Sequence, residues 1–162
     1  MPAEEQHAPT PTERAHLKSA STHSLGYLPK AATKRLLRSL SDAGFIYRED
    51  LDGFLLEGED AFTYEQPTPW RITKAGRLAA LTSSQVNALV ERVDAEGRFT
   101  AKATWSTTRS LTELGCAEYR DADGLVQPND GDDGVRGPQH ASFRTDLGRA
   151  VAELAASCAG PV

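Results

Sequence analysis

A basic segment between residues 24 and 41 contains the side chains best suited to binding a polyanion. No acidic residue occurs from Ser24 to Ser41, whereas a merely solvated helix face usually alternates the two signs. On a helix that advances by about 100° per residue, Lys30, Lys34 and Arg38 lie within roughly 80° of one another. The basic residues are Lys30, Lys34, Arg35 and Arg38. This spacing predicts a row of phosphate-binding donors; the alternative is a solvated face that only aids solubility.

A second segment, residues 102–109, has the same character with fewer charges. Three- and four-residue steps place Lys102, Trp105 and Arg109 on one helix face, with Ser106 beside them. An indole on such a face can stack on a sugar or a base, or make an apolar contact with a protein. A tryptophan is also a common core residue, and a helix that starts a few residues away would turn Trp105 inward.

Two acidic segments follow the basic ones. Residues 49–65 contain seven acidic residues and no basic one, and residues 113–133 contain seven acidic residues and Arg120. The chain has a net charge of −5, and these segments carry −7 and −6, which leaves +8 for the rest. Exposed charges more than about 10 Å apart are largely screened, so the net charge does not exclude a nucleic-acid partner. We expect the basic helices to face DNA and the acidic segments to point away, or the two to be complementary protein-binding surfaces, self-association included.

Patterns of catalytic and metal-binding residues are not found. The four histidines have no cysteine or carboxylate partner at a recognised ligand spacing. Residues 130–134 lack the residue order of a calcium loop and its distal glutamate. Neither a Gly-x-Ser-x-Gly sequence nor a phosphate-binding glycine loop occurs. The sequence therefore predicts a protein that is not an enzyme and has no cofactor or metal.

The cellular location is predicted from features that the chain does not have. No stretch approaches the roughly 18 apolar residues of a membrane span, and the N-terminus does not have the pattern of a signal peptide. Cys116 and Cys158 are too few for a disulfide framework. We expect a cytoplasmic protein without a membrane partner.

The chain contains an internal repeat. Residues 38–44 reappear as residues 109–115, 71 positions later, and residues 73–77 reappear as residues 145–149, 72 positions later. Two matched blocks in the same order indicate two copies of one small domain. The predicted organisation is a disordered tail over 1–11, domains over 12–81 and 82–157, and a C-terminal tail over 158–162.

Each copy reads as helix, helix, strand, long hairpin, strand and helix. In the first copy, Pro29 and Gly44 are the start and stop signals of a helix over 29–43, and Thr73 caps a helix after the second strand. In the second copy, Ser83 caps the first helix, Gly97 ends it, and Thr145 caps the last. The other predicted elements are a helix over 12–19, strands over 45–47, 70–72, 98–100, 116–119 and 142–144, hairpins over 48–69 and 120–141, a helix over 105–114, and a short helix or turn in 20–28 and in 99–104.

This element order resembles the winged helix-turn-helix domains of bacterial regulators of the MarR and PadR type. The matching residues are Leu36, Leu40, Gly44, Phe45, Ile46, Ile72, Thr73, Gly76 and Arg77 in the first copy, and Leu111, Gly115, Cys116, Thr145, Gly148 and Arg149 in the second. The resemblance implies an α+β fold of two tandem winged-helix domains, each a three-helix core with a β-hairpin wing. It also implies that the helix before each wing reads duplex DNA.

The leading hypothesis is therefore a double-stranded DNA-binding protein, a transcriptional regulator that presents two recognition helices from one chain. Its predicted contacts are Lys30, Lys34, Arg35, Arg38, Lys102, Trp105, Ser106 and Arg109. One alternative is a tandem winged-helix module that binds protein, as in the winged-helix subunit of bacterial condensin. Another is a plasmid or phage replication initiator.

Overall fold

The computed structural model describes residues 8–158, which form two compact units that meet in sequence at Ala80 and Leu81. Each unit combines helices with one three-stranded antiparallel sheet. The α+β class predicted from the sequence is therefore confirmed. Most of the predicted tails, residues 1–7 and 159–162, lies outside the described residues, while the first helix begins at Pro11 and the last ends at Cys158.

The first unit has a sheet with the strand order β2-β1-β3. Its elements are α1 (Pro11–Thr22), α2 (Lys34–Asp42), β1 (Ile46–Glu49), β2 (Leu55–Leu56), α3 (Asp60–Thr63), β3 (Trp70–Ile72) and α4 (Lys74–Ala79). In the register of the sheet, Ile46 pairs with Ile72 and Arg48 pairs with both Trp70 and Leu56. The hairpin that was predicted only as a long connection thus contains a short strand and a helical turn.

The second unit repeats this plan with the strand order β5-β4-β6. Its elements are α5 (Ser83–Glu91), α6 (Trp105–Glu113), β4 (Ala117–Arg120), β5 (Val126–Gln127), β6 (Ala141–Arg144) and α7 (Asp146–Cys158). The strand predicted over 98–100 is reduced to isolated bridges from Arg98 to Phe143 and from Val93 to Phe99.

Each unit has its own apolar core beneath the sheet. In the first unit, Leu17 of α1 and Leu40 of α2 are completely buried and pack with Ile46 and Ile72 of the strands. In the second, the largest buried side chains are Leu89, Leu111, Leu114, Val151 and Cys116. Full burial of such a side chain contributes roughly 1.5–3 kcal/mol. The cores therefore determine which face of α2 and of α6 is left for solvent.

Two helix starts differ from the predicted ones. The first turn of α2 is capped by Thr33, whose Oγ1 accepts the Leu36 N–H at 3.2 Å, while residues 29–32 form a separate turn closed by the Ala32 N–H on the Pro29 carbonyl. The predicted start at residue 29 was wrong, because the side chain of Thr33 caps the helix and residues 29–32 close a turn of their own. In the same way, the cap of α5 is Thr82, in a capping box with Gln85, and the predicted cap Ser83 is instead the first residue of the helix. Helix α5 ends at Glu91.

The repeated Thr-x-x-Gly sequence joins the last helix of each unit to the end of the helix before the hairpin. Thr73 Oγ1 accepts the Gly76 N–H at 3.0 Å and donates to the Gly44 carbonyl at 2.8 Å. Thr145 makes the same pair of bonds with Gly148 and Gly115, at 2.9 and 2.7 Å. The predicted Thr73 cap is confirmed. Thr145 was predicted to cap the last helix, and its side chain accepts the Gly148 N–H as such a cap does.

Both glycines of this sequence are required by a close backbone approach. A Cβ on Gly76 would collide with the carbonyl oxygen of Phe45, and one on Gly148 with the carbonyl oxygen of Cys116. Backbone atoms cannot move aside as a flexible side chain can. The motif on which the resemblance partly rests therefore has a purely structural function in this chain.

One arginine organises the long hairpin of the first unit. The Arg48 guanidinium donates to the carbonyl oxygens of Ala61, Tyr64, Gln66 and Thr68, at 2.6–3.2 Å. Hydrogen bonds to a charged donor are stronger than neutral ones. They hold residues 61–68, and with them the short helix α3, close to β1.

Candidate nucleic-acid interface

Helix α2 presents its basic residues at its N-terminal end. Leu40 is completely buried in the core, and Lys34 and Arg35, in the first turn, are exposed. Cations near a helix N-terminus are disfavoured by the helix dipole by about 0.3–1 kcal/mol, and the first turn of α2 has no acidic residue. Helix stability therefore does not explain why two basic residues begin this helix.

Three of the predicted residues form what we call the basic face: Lys30, Lys34 and Arg35. All three are exposed, Lys30 from the turn at 29–32 that precedes α2. The sequence had predicted that Lys30 lies on the same helix as the other two, but in the structure it precedes the helix. Within residues 8–158, none of the three side chains makes a hydrogen bond or an ion pair. The basic face is thus free to meet an anionic ligand.

Arg38, the fourth residue of the predicted row, is held by the hairpin. Its Nη1 and Nη2 donate to the two carboxylate oxygens of Glu59 at 2.8 and 3.1 Å. The guanidinium carbon lies 4.4 Å from the centre of the Phe62 ring, which in turn packs 5.0 Å from Trp70. The pairing uses two of the five N–H groups of Arg38, so a phosphate that approaches the same edge of the guanidinium must displace Glu59.

The electrostatics of this pair favour the closed arrangement at neutral pH. The hydrogen bonds from Arg38, followed by its charge and that of Lys34, lower the pKa of Glu59 below its usual value of 4.5. Any stability that the pair contributes is present above that value and is lost as the pH falls through the lowered pKa. Both side chains are well exposed, so the pair adds little to the stability of the fold.

Helix α6 presents an aromatic side chain where α2 presents a lysine. Trp105 is 54% exposed, so it is not a core residue, although that was one of the two interpretations open from the sequence. Its indole Nε1 donates to Asp130 Oδ2 at 3.0 Å, and the Arg109 guanidinium lies 5.1 Å from its ring centre. Arg109 also approaches Glu113, at 3.8 Å. Its positive charge is therefore partly compensated.

The remaining predicted residues of the second unit are exposed. Lys102 lies in the turn before α6, and its own carbonyl accepts a hydrogen bond from Arg92 at 2.8 Å. Ser106 lies in the first turn of α6 with its hydroxyl 3.3 Å from that of Thr104, the helix cap. The side-chain ammonium group of Lys102 has no hydrogen bond or ion pair among the described residues. It is the one side chain of this face that resembles the basic face of the first unit.

The acidic partners of the two helices occupy equivalent positions in the repeat. Glu59 and Asp130 are 71 residues apart, as are Lys34 and Trp105, and Arg38 and Arg109. The pKa of Asp130 is lowered by the Asp132 N–H and then by the indole of Trp105. Neither contact was predicted from the sequence. The offset of 71 was the available signal, because it links the two acidic residues just as it links the two arginines.

Comparisons with known proteins do not assign the chain to a family. It matches no protein-family model, and no curated protein or solved structure resembles it significantly. From residue 8 to residue 158, no helix has both the length and the apolar character needed to cross a bilayer. The same residues contain no group of three or more His, Cys, Asp or Glu side chains that could hold a metal ion.

Proposed function

We propose that this chain is a double-stranded DNA-binding protein built from two winged-helix domains, and that it acts as a transcriptional regulator. The observation that carries the proposal is the basic face: three exposed cations, none in a hydrogen bond or an ion pair within residues 8–158, at and just before the start of the helix that precedes the hairpin. In a winged helix this is the helix that enters the major groove with its N-terminal residues toward the bases. The element order of each unit supports the same proposal.

The chemistry of the basic face suits a phosphate backbone. Lys34 and Arg35 flank the backbone N–H groups of the first turn of α2, and helix N-termini attract anions. Each phosphate neutralised by a cation releases counterions, so affinity falls with salt in proportion to the number of contacts. Three cations would supply non-specific affinity and set the orientation of the helix on the duplex.

The acidic hairpin limits how DNA can approach. Glu57, Glu59 and Asp60 lie in the segment beside α2, and Glu59 contacts Arg38 in the middle of the helix. Phosphates placed along the whole helix would meet these carboxylates. We infer that the duplex meets α2 at its N-terminal end, where the basic face lies, and that Glu59 competes with DNA for Arg38.

A matched pair of charge reversals tests this function. The substitutions Lys34→Glu and Arg35→Glu together should lower the affinity for a random-sequence duplex of about 20 base pairs by about 100-fold at low salt, and reduce the slope of log K against log salt by about two. The measurement is fluorescence anisotropy over a range of salt concentrations. The control, Arg14→Glu with Lys18→Glu, makes the same change in charge on exposed positions of α1.

The control variant should lose no more than about threefold in affinity, because its charges lie outside the proposed contact. Equal losses in the two variants would show that only net charge matters. Failure of the unaltered chain to bind duplex DNA at low salt would overturn the proposed function. If binding is found, selection of bound sequences from random duplexes then identifies the target.

A further inference from the structure

Both units have the same hydrogen-bonded turn between the first two strands of the hairpin. We call residues 50–56 and 121–127 the hairpin tips. Asp50 Oδ1 accepts the N–H groups of Asp52 and Phe54, both at 2.9 Å, and Gly53 between them has a φ of 87°. In the second unit, Asp121 Oδ1 accepts the N–H groups of Asp123 and Leu125, at 2.9 and 3.0 Å, and Gly124 between them has a φ of 81°. The geometry of each tip is therefore preorganised by its own side chains.

Large apolar side chains stand on these tips in water. Phe54 is 71% exposed and Leu125, at the equivalent position, is 64% exposed. The next residues, Leu55 and Val126, are also mostly exposed. A single exposed apolar residue needs no explanation, but a pair at the same place in both copies does. The core accounts for none of these four side chains.

Two of these four residues, Leu55 and Val126, belong to the edge strands of the two sheets. Strand β2 pairs only with β1 and strand β5 only with β4, so neither outer edge has a partner strand among the described residues. An unpaired edge offers backbone N–H and carbonyl groups to an incoming extended segment. Leu55 and Val126 would then lie beside side chains of that segment.

The charge around the tips determines which segment would fit. Asp52 and Glu57 are exposed beside Phe54 and Leu55, and Asp123 is exposed beside Leu125. Pairing of a tip with a second copy would bring like charges together, which is how edge strands are protected from self-association. Lysine or arginine side chains on the incoming segment would instead be complementary to these carboxylates.

We propose that each hairpin tip is a docking site for an extended segment of another protein in which apolar residues alternate with lysine or arginine. The segment adds to the outer edge of β2 or β5, its apolar side chains cover Phe54 and Leu55 or Leu125 and Val126, and its cations face the acidic residues of the tip. Because the chain has two tips, it holds two such segments. This proposal does not depend on DNA binding, since no tip residue belongs to the basic face.

Phage-displayed random peptides of about 12 residues, selected on the full-length chain, provide the probe. We expect the enriched peptides to alternate apolar residues with lysine or arginine. Calorimetry with one enriched synthetic peptide should give two sites per chain. The double substitutions Phe54→Ser/Leu55→Ser and Leu125→Ser/Val126→Ser should each remove one site, with at least about a tenfold loss of affinity there. The control Leu25→Ser changes another exposed apolar residue and should retain both sites.

Three results would overturn the proposal: no enriched peptide, enriched peptides without basic residues, or binding that is unchanged when both tips carry serine. Sedimentation equilibrium distinguishes the remaining occupant. If the unaltered chain self-associates and the serine variants do not, the tips bind a second copy instead, which contradicts the proposal. Circular dichroism of each variant confirms that a lost site is not a lost fold, and duplex binding of the serine variants should be unchanged.

Discussion

The two units have the same hydrogen bonds at equivalent positions, but they differ in the charge of the surface that precedes the hairpin. Lys34 and Arg35 of the first unit correspond to Trp105 and Ser106 of the second, and Lys30 corresponds to Ala101. Arg38 and Arg109 are equivalent, and both are engaged by acidic side chains. Two helices in the same structural setting therefore present a cationic surface in one unit and an aromatic, nearly neutral one in the other.

This difference separates the residues that build the fold from those of the proposed binding surface. The residues that agree between the copies, among them the Thr73 and Thr145 caps and the glycines that follow them, make the same backbone contacts in both units. Those that differ are exposed and free of such contacts. The two copies thus share a scaffold and differ in the surface before the hairpin, and under the proposed function the first unit would contribute most of the affinity for duplex DNA.

The largest effect is expected from removing one scaffold at a time. Gly76→Ala places a Cβ against the Phe45 carbonyl, and Gly148→Ala does the same at Cys116. Helix propensity alone would make alanine more stable by up to about 1 kcal/mol. Overpacking costs roughly 1–3 kcal/mol and occasionally more, and contacts with backbone atoms lie at the upper end of this range, so each substitution should destabilise its own unit. Denaturant unfolding followed by circular dichroism measures this loss.

Duplex binding then distinguishes the two units. The Gly76→Ala chain should lose its affinity for DNA under conditions in which its first unit is unfolded, whereas the Gly148→Ala chain should keep its affinity within about threefold. If Gly148→Ala abolishes binding as well, the second unit is needed and the division of labour is wrong. Unaltered stability in either variant would contradict the structural function of the motif.

A smaller effect is expected from making the second unit resemble the first. Trp105→Lys with Ser106→Arg adds two cations at the positions equivalent to Lys34 and Arg35, and should raise duplex affinity about tenfold at low salt, with a steeper salt dependence. Anisotropy measures both. Trp105→Gln with Ser106→Gln changes the same positions without charge and should give no gain. A similar gain in both variants would show that loss of the indole, not addition of charge, is responsible.

The smallest effect is expected from releasing Arg38. Glu59→Gln removes the charge that holds the guanidinium, so DNA no longer competes with a carboxylate, and duplex affinity should rise about threefold. The control Glu57→Gln makes the same change in charge in the same segment, and the Glu57 carboxylate has no hydrogen bond or ion pair among residues 8–158. It should raise affinity less. If the two substitutions have the same effect, Glu59 acts only through net charge.

The architecture could be predicted where local signals agreed with one another. Gly44 and Gly115 both adopt the positive φ expected after a helix, and Thr73 caps α4 as predicted. The strand predicted over 70–72 is observed, and the one over 45–47 is shifted by a residue to begin at Ile46. The start of α2 was predicted too early, because Pro29 was taken for a first-turn residue, whereas the side chain of Thr33 caps the helix.

The geometry of the candidate site was harder to predict because its contacts are distant in sequence. Arg38 meets Glu59 across 21 residues, and Trp105 meets Asp130 across 25. Periodicity identified the basic helix face but could not show that a hairpin acid closes on its middle. It also left Trp105 open between core and surface, because the orientation of Trp105 depends on which face of α6 is buried, and the structure buries Thr108 and Leu111.

The most direct test of the central claim is an NMR titration of the full-length chain, labelled with nitrogen-15, with a random-sequence duplex of about 20 base pairs at low salt. The account predicts that the largest amide shift changes fall on residues 30–38, with smaller ones around Trp105 and none at the hairpin tips. Shift changes centred on the second unit or on the tips, or none at all, would contradict it.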